Sequence, residues 1–252
     1  MPEGPSIVIL KEAAKQFAGK KVISASGNSK QIAFDKINGN KIIAFKSWGK
    51  HFLICFPTFT LRVHFLLFGS YRINEKKYAR SDTNTEIPPR LSLQFAKGEL
   101  NFYACSIKEI DADLDTVYDW SVDVLSDSWN EKKAIESVKK NSNELVCDVL
   151  LNQEIFAGVG NIIKNEVLYR IKLHPLCKVR NLPLRFVRAL VHEAVRYSYD
   201  FLKWKKEFTL RKHWLVHTKK ICQRDNSPIQ KIYAGKTKRR TFFCKTCQPM
   251  YT

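Results

Sequence analysis

The spacing of apolar residues changes once along this chain, and that change limits the folds open to it. Between Lys21 and Tyr103 the spacing is two: Phe52, Ile54 and Phe56, then Leu61 and Val63, then Leu91, Leu93 and Phe95 fall on one side of extended segments. Asn38-Gly39 and Lys97-Gly98 supply hairpin turns. The pattern predicts an antiparallel sheet or sandwich of about eight strands. Beyond Trp129 the spacing becomes three and four, predicting helices over Glu131–Lys140, Asn143–Leu151, Ile162–Ile171 and Leu184–Trp204. Ahead of the sheet, Ser6–Phe17 carries Ile7, Leu10, Ala14 and Phe17 along one side, with Pro5 before it and Gly19 as a stop, so a helix flanks the strands. The acidic, irregular stretch from Asp111 to Trp129 suits an interdomain linker, and Arg80–Pro89 suits a loop. An α+β, multidomain chain follows: an N-terminal helix-flanked antiparallel β-sandwich domain over residues 1–115, a linker over 116–130, a helical domain over 131–215 and a C-terminal hairpin over 216–252.

Charge narrows the partner. The 252 residues carry a formal net charge of +19, which points to a polyanion, nucleic acid above all. A ribosomal or membrane-surface protein shares that property. No apolar run reaches the roughly 18 residues that span a bilayer, and the start has no export-signal pattern, so a soluble cytoplasmic protein, nucleoid-associated through DNA, is expected. Cys55, Cys105, Cys147 and Cys177 lie scattered in apolar stretches and read as reduced core residues.

Several short stretches carry chemistry. In Met1-Pro2-Glu3-Gly4-Pro5, removal of Met1 gives Pro2 a secondary amine with a reference pKa of about 8, a nucleophile able to form an electron-withdrawing iminium on a sugar carbon. Glu3 is placed to move protons. Lys50, after Ser47-Trp48-Gly49, heads an apolar strand from which it can reach a phosphate or a sugar oxygen. His64 to Gly69 ends an apolar strand in Leu66, Leu67 and Phe68, side chains able to fill the gap left by an extruded base. Gly158 and Gly160 permit a tight turn, and the backbone N–H groups opening the next helix would face outward as an anion site. The segment from Lys219 to Lys245 is basic and reads as two short strands joined near Ala234 to Lys238. Within it, Cys244-Lys245-Thr246-Cys247 is half of a zinc-ribbon pattern, and the other half, Cys222-Gln223-Arg224-Asp225, has an aspartate at the second ligand position.

In this order the motifs resemble the bacterial formamidopyrimidine-DNA glycosylase and endonuclease VIII family of base-excision repair enzymes. The resemblance runs over nearly the whole chain, from Pro2-Glu3-Gly4-Pro5 through Gly49-Lys50, His64–Gly69 and Gly158–Ile162 with Glu166, to Arg239–Gln248. It implies a helix-two-turns-helix domain and a zinc-finger-like hairpin. By the resemblance, Pro2 is the nucleophile at C1′ of the damaged nucleotide, Glu3 the acid/base, and Lys50 a phosphate and sugar ligand. Asn161 and Arg239 grip the phosphates flanking the lesion. The partner implied is double-stranded DNA with oxidised bases or abasic sites, met by a monomer.

Leu66-Leu67-Phe68, and the lack of an Arg-Arg-Phe wedge at Tyr103–Ile107, favour the endonuclease VIII branch and oxidised pyrimidines; a purine-preferring enzyme or a non-catalytic binder of damaged DNA are the alternatives. Three positions depart from the family. Ser6 stands where glutamate is usual, Asn152 where aspartate is common, and Asp225 where a zinc cysteine is expected. Structural zinc is expected on Cys222, Asp225, Cys244 and Cys247, with His217 a rival fourth ligand and a metal-free hairpin the third possibility.

Overall fold

The computed structural model describes residues 2–74 and 87–252. The expected loop at Arg80–Pro89 therefore falls largely outside the described residues. The chain divides into two compact units, one formed by Ser6–Tyr118 with Pro2, the other by Glu3–Pro5 with Asp119–Thr252.

Helix α1 (Gly4–Ala14), in the first unit from Ser6 onward, runs into a 3-10 turn at Lys15–Phe17, and Gly19, at φ 77°, ends it. Ile7, Leu10, Ala14 and Phe17 are all buried, as their spacing predicts. They pack on one antiparallel sheet of strands β1 (Ser24–Ser26), β2 (Ala44–Trp48), β3 (His51–Cys55), β4 (Thr60–Ile73), β5 (Leu91–Gln94) and β6 (Glu99–Ile110), in the order β1-β5-β6-β4-β3-β2. Phe17 stacks on Phe95 at 4.3 Å between ring centroids, and Phe52, Ile54, Leu61, Val63, Leu91 and Leu93 are buried in the same core.

Among the described residues the sheet has six strands, where about eight were expected. At the N-terminal end Phe34–Ile37 forms a short helix, α2, and Asn38-Gly39 turns out of it rather than joining strands. Asn38 uses its side-chain oxygen to accept from the Ala25 amide, and Lys21 and Lys41 meet only as an isolated bridge. Lys97-Gly98 does join β5 to β6, with Gly98 at φ 94°.

The second unit opens on the acidic stretch, which is less irregular than the sequence implied. Asp119 accepts from the Ser121 amide to start a 3-10 turn at Trp120–Val122; just before it, Asp113 in the first unit caps α3 (Leu114–Val117) in the same way. Helices α4 (Glu131–Lys140), α5 (Val146–Val149), α6 (Asn161–Arg170) and α7 (Leu184–Lys206) enclose a second core around Phe156, Val167, Leu190 and Tyr197. Helix α5 is much shorter than the expected Asn143–Leu151. The Val146 amide donates to Cys177 O and Glu144 O accepts from the Val179 amide, so this backbone pairs with a later segment instead of closing helical turns. A hairpin of β7 (Ile229–Ala234) and β8 (Arg239–Cys244) completes the unit. Among the described residues no helix is long and apolar enough to cross a membrane.

Candidate active site and nucleic-acid interface

Gly158 and Gly160 shape the turn into α6, and the structure gives each a distinct reason. Gly158 sits at φ 101°, in the region that disfavours a side chain, and its amide donates to Gln153 Oε1 at 3.1 Å. Gln153 also donates to Leu151 O and Val159 O, so one side chain sets the whole turn. Gly4 donates to Gly158 O at 2.9 Å, and a Cβ on Gly4 would lie 2.8 Å from Gly158 Cα. Gly160 is extended and unstrained, but a Cβ there would lie 2.4 Å from Glu3 Cδ.

Glu3 is the reason for that closeness. Its carboxylate, 3% exposed, accepts from the amides of Ile162 at 2.7 Å and of Gly160 and Ile163 at 3.2 Å. The start of α6 is thus an anion site, as expected, but it does not face outward for a phosphate. Glu3 fills it, because the helix's free N–H groups and dipole complement a buried carboxylate.

Asn161 stands between those amides. Its Nδ2 donates to Arg240 O at 2.8 Å and its Oδ1 accepts from Lys164 Nζ at 3.0 Å. Arg239 begins β8 and is exposed, as is Arg240, while Thr241 after them is fully buried. Glu166, also fully buried, accepts from the amides of Leu215, Val216 and His217 at 2.8–3.1 Å and so ties α6 to the approach to the hairpin. The sequence marked Glu166 only as part of a motif, with no anchoring part, and Lys164 read as an ordinary residue of a helix.

In the first unit, Lys50 follows Gly49 (φ 53°) in the two-residue turn between β2 and β3, one position before the strand it was expected to head. His51 and His64 face each other across β3 and β4, rings 5.4 Å apart, and His51 also lies against Trp48 and Tyr118. Burial, then Arg62, His64 and Lys50, lower the His51 pKa to about 3, so its ring is neutral.

The strand expected to end at Gly69 instead continues to Ile73. The register breaks between Phe65↔Cys105 and Ser70↔Tyr103, leaving Leu66–Gly69 opposite Ala104 alone, itself at φ 45°. Gly69 is required there, since a Cβ would lie 2.8 Å from Ala104 O. The bulge pushes Leu66, Leu67 and Phe68 outward, to 50%, 55% and 82% exposure.

Cys222, Asp225, Cys244 and Cys247 converge, their ligand atoms all within 4.8 Å of one another. Cys222 Sγ and Cys247 Sγ are 3.8 Å apart, about the separation that tetrahedral zinc with bonds of about 2.3 Å gives two sulfurs. Ser227 holds Asp225 Oδ1 at 2.6 Å and lies 3.1 Å from Cys244 Sγ, while Arg224 donates to Cys247 Sγ at 3.4 Å and stacks on Tyr169. Three thiols and a carboxylate held in this way fit zinc. His217 is turned elsewhere: its Nδ1 pairs with Asn165 Nδ2 at 3.0 Å. The other four cysteines are buried and free.

Residues 121–204 match the formamidopyrimidine-DNA glycosylase H2TH domain. An endonuclease 8-like 2 of Bos taurus is 35% identical over 197 residues, 75% of this chain and 58% of that protein. An endonuclease 8-like 3 of Mus musculus is 30% identical over 215 residues, 84% of this chain and 35% of that protein. The chain thus spans less than two thirds of the length of these curated relatives. A Lactococcus lactis formamido-pyrimidine DNA glycosylase, bound non-covalently to DNA containing an AP site, matches with a TM-score of 0.83 at 24% identity, over 98% of this chain and 99% of that one. A MutM in complex with DNA containing carbocyclic 8-oxo-G matches with a TM-score of 0.84 at 24% identity, over 98% and 100%. These two likenesses establish the fold.

Proposed function

Since this chain belongs to the formamidopyrimidine-DNA glycosylase and endonuclease VIII family, we propose that it is a bifunctional DNA glycosylase and abasic-site lyase acting on oxidised bases, pyrimidines above all, as a monomer on double-stranded DNA. The observation that carries the proposal is the capture of the Glu3 carboxylate by the amides of Gly160, Ile162 and Ile163. That capture fixes the residue next to Pro2 on the turn whose Asn161 belongs to the phosphate grip.

In the proposed reaction, Pro2, made N-terminal by removal of Met1, attacks C1′ of the damaged nucleotide. The bond from C1′ to the base breaks, and the base departs with the electron pair and a proton. Ring opening, assisted by Glu3, leaves an iminium between C1′ and the Pro2 nitrogen. The iminium draws electrons from C2′, whose proton is lost as the C3′–O bond breaks; loss of the 5′-side phosphate by δ-elimination follows. Lys50, Asn161 and Arg239 hold phosphates, and Leu66, Leu67 and Phe68 fill the space of the extruded base. Zinc on Cys222, Asp225, Cys244 and Cys247 would be structural, fixing the hairpin that carries Arg239.

The pyrimidine preference is supported by the likeness to the endonuclease 8-like 2 and 3 proteins and by the exposed Leu-Leu-Phe bulge. Borohydride trapping tests the proposal. Protein of verified N-terminus is incubated with a duplex carrying dihydrouracil and with an abasic duplex. The expected result is a reduced covalent adduct mapping to Pro2 on both, absent from Pro2→Gly. Adducts on the abasic duplex alone would remove the pyrimidine assignment, and tight binding without any adduct would make the chain a non-catalytic binder of damaged DNA.

A further inference from the structure

Lys164 is buried to 1% exposure, yet its ammonium is spent on neutral oxygens. Nζ donates to Asn161 Oδ1 at 3.0 Å and to Thr241 Oγ1 at 2.8 Å. Stability alone gives little reason for such a group, since an apolar side chain of the same length would fill the space without a desolvated charge.

The two bonds belong to a closed ring. Asn161, with Oδ1 held by Lys164, can only turn Nδ2 to Arg240 O, at 2.8 Å. Thr241, accepting from Lys164, turns its own hydroxyl proton to Arg239 O, at 3.0 Å. One ammonium therefore orients the Asn161 amide and the backbone on both sides of Arg240. Burial, with Arg239 in the same sense and Cys147, Asp148 and Glu3 acting against them, lowers the Lys164 pKa to about 8, so the charged form prevails at neutral pH.

We infer that Lys164 is a positioning residue for DNA binding, setting Asn161 and Arg239 into the single arrangement in which both reach phosphates. The inference rests on the proposed reading of those two residues as phosphate ligands.

The test uses the full chain and a duplex with a tetrahydrofuran abasic-site analogue, with affinities measured well below each variant's melting temperature. Lys164→Met and Thr241→Val are each expected to weaken binding about tenfold, within the coupling range of one hydrogen-bond network. In a background lacking both proposed phosphate ligands, Asn161→Ala with Arg239→Ala, the same changes should cost less than about twofold. Thr241→Ser, which keeps the hydroxyl, should bind within about twofold of the parent. A purely structural role would leave the losses multiplicative and the serine rescue incomplete. If Lys164→Met fails to fold, Thr241→Val decides. Binding unchanged in Thr241→Val, or full multiplication in the Asn161→Ala, Arg239→Ala background, overturns the inference while leaving the phosphate grip intact. If Asn161→Ala and Arg239→Ala themselves bind normally, the grip falls and the inference with it.

Discussion

Glu3 and Gly160 are fitted to each other: the Glu3 carboxylate accepts from the Gly160 amide, and a Cβ on Gly160 would lie 2.4 Å from Glu3 Cδ. The glycine is needed for room, since its extended backbone suits any residue. Gly160→Ala should therefore push the carboxylate off the start of α6 and leave buried amides unpaired, at about 2 kcal/mol. Cleavage of an abasic duplex should fall about a hundredfold, the scale of one lost acid/base group. Strand-nicking rates beside a thermal melt check both; an alanine variant that nicks normally would remove Glu3 from the chemistry.

Phe68 makes the opposite prediction. At 82% exposure on the β4 bulge it contributes nothing to the core. Phe68→Ala should leave stability within about 0.5 kcal/mol. Excision of dihydrouracil should drop about tenfold, one lost stacking or wedging contact, while cleavage at a preformed abasic site changes less. Equal rates on the lesion duplex would remove the void-filling role.

The elements that followed a regular period were legible in the sequence. Ile7, Leu10, Ala14 and Phe17 are the buried side of α1, and Phe52, Ile54, Leu61 and Val63 are the sheet core. Where backbone groups pair outside that period, legibility failed. Residues 144–147 give their bonds to 175–179 and not to a helix, and the bulge at Leu66–Gly69 hides that β4 continues. The site was half visible. Glycines and a helix start announce an anion site, but nothing local says that the anion is Glu3, more than 150 positions away in sequence. Lys164 carried no signal, because a lysine on a helix is ordinarily solvated and only the packing of β8 against α6 buries it.

Glu166 should prove a stability residue. Its fully buried carboxylate accepts three consecutive amides, Leu215 to His217. Glu166→Gln keeps one oxygen for the three amides but removes the charge and sets an NH2 where Oε2 had faced the Leu215 amide and Arg170, a loss of about 3 kcal/mol. That corresponds to roughly 6–12 °C in melting temperature for a chain of this size. Calorimetry decides; a shift below about 2 °C would mean the loop is held otherwise.

The metal prediction turns on Asp225. Elemental analysis should return one zinc per chain, because three thiols and a carboxylate pinned by Ser227 form a complete donor set. Asp225→Ala should lose the metal to a mild chelator and melt lower, while Asp225→Cys should resist chelation better than the parent, thiolate being the softer ligand. Far less than one zinc per chain, with a melt indifferent to chelator, would mean that packing alone holds the hairpin.

Lys164 gives stability an unusual dependence on pH. The unfolded chain keeps this proton up to the ordinary lysine value of 10.5, whereas in the folded protein burial, with Arg239 acting in the same sense against Cys147, Asp148 and Glu3, lowers the pKa to about 8. Between those values the unfolded state binds more protons, so the contribution of Lys164 to stability rises with pH across that window and is lost as pH falls through 8. The gap corresponds to something on the order of 3 kcal/mol. Lys164→Met has no proton to release, so its unfolding free energy in urea should lack this rise, and the difference between parent and variant should widen in favour of the parent from pH 8 upward. Both proteins share the cysteines and tyrosines that titrate in the same range, so those that do not interact with Lys164 cancel in the difference, and Cys147, which does interact with it, is removed by making the comparison in a Cys147→Ala background. Parallel curves would mean that the Lys164 ammonium is solvated in the folded protein, which its burial between α6 and β8 does not allow.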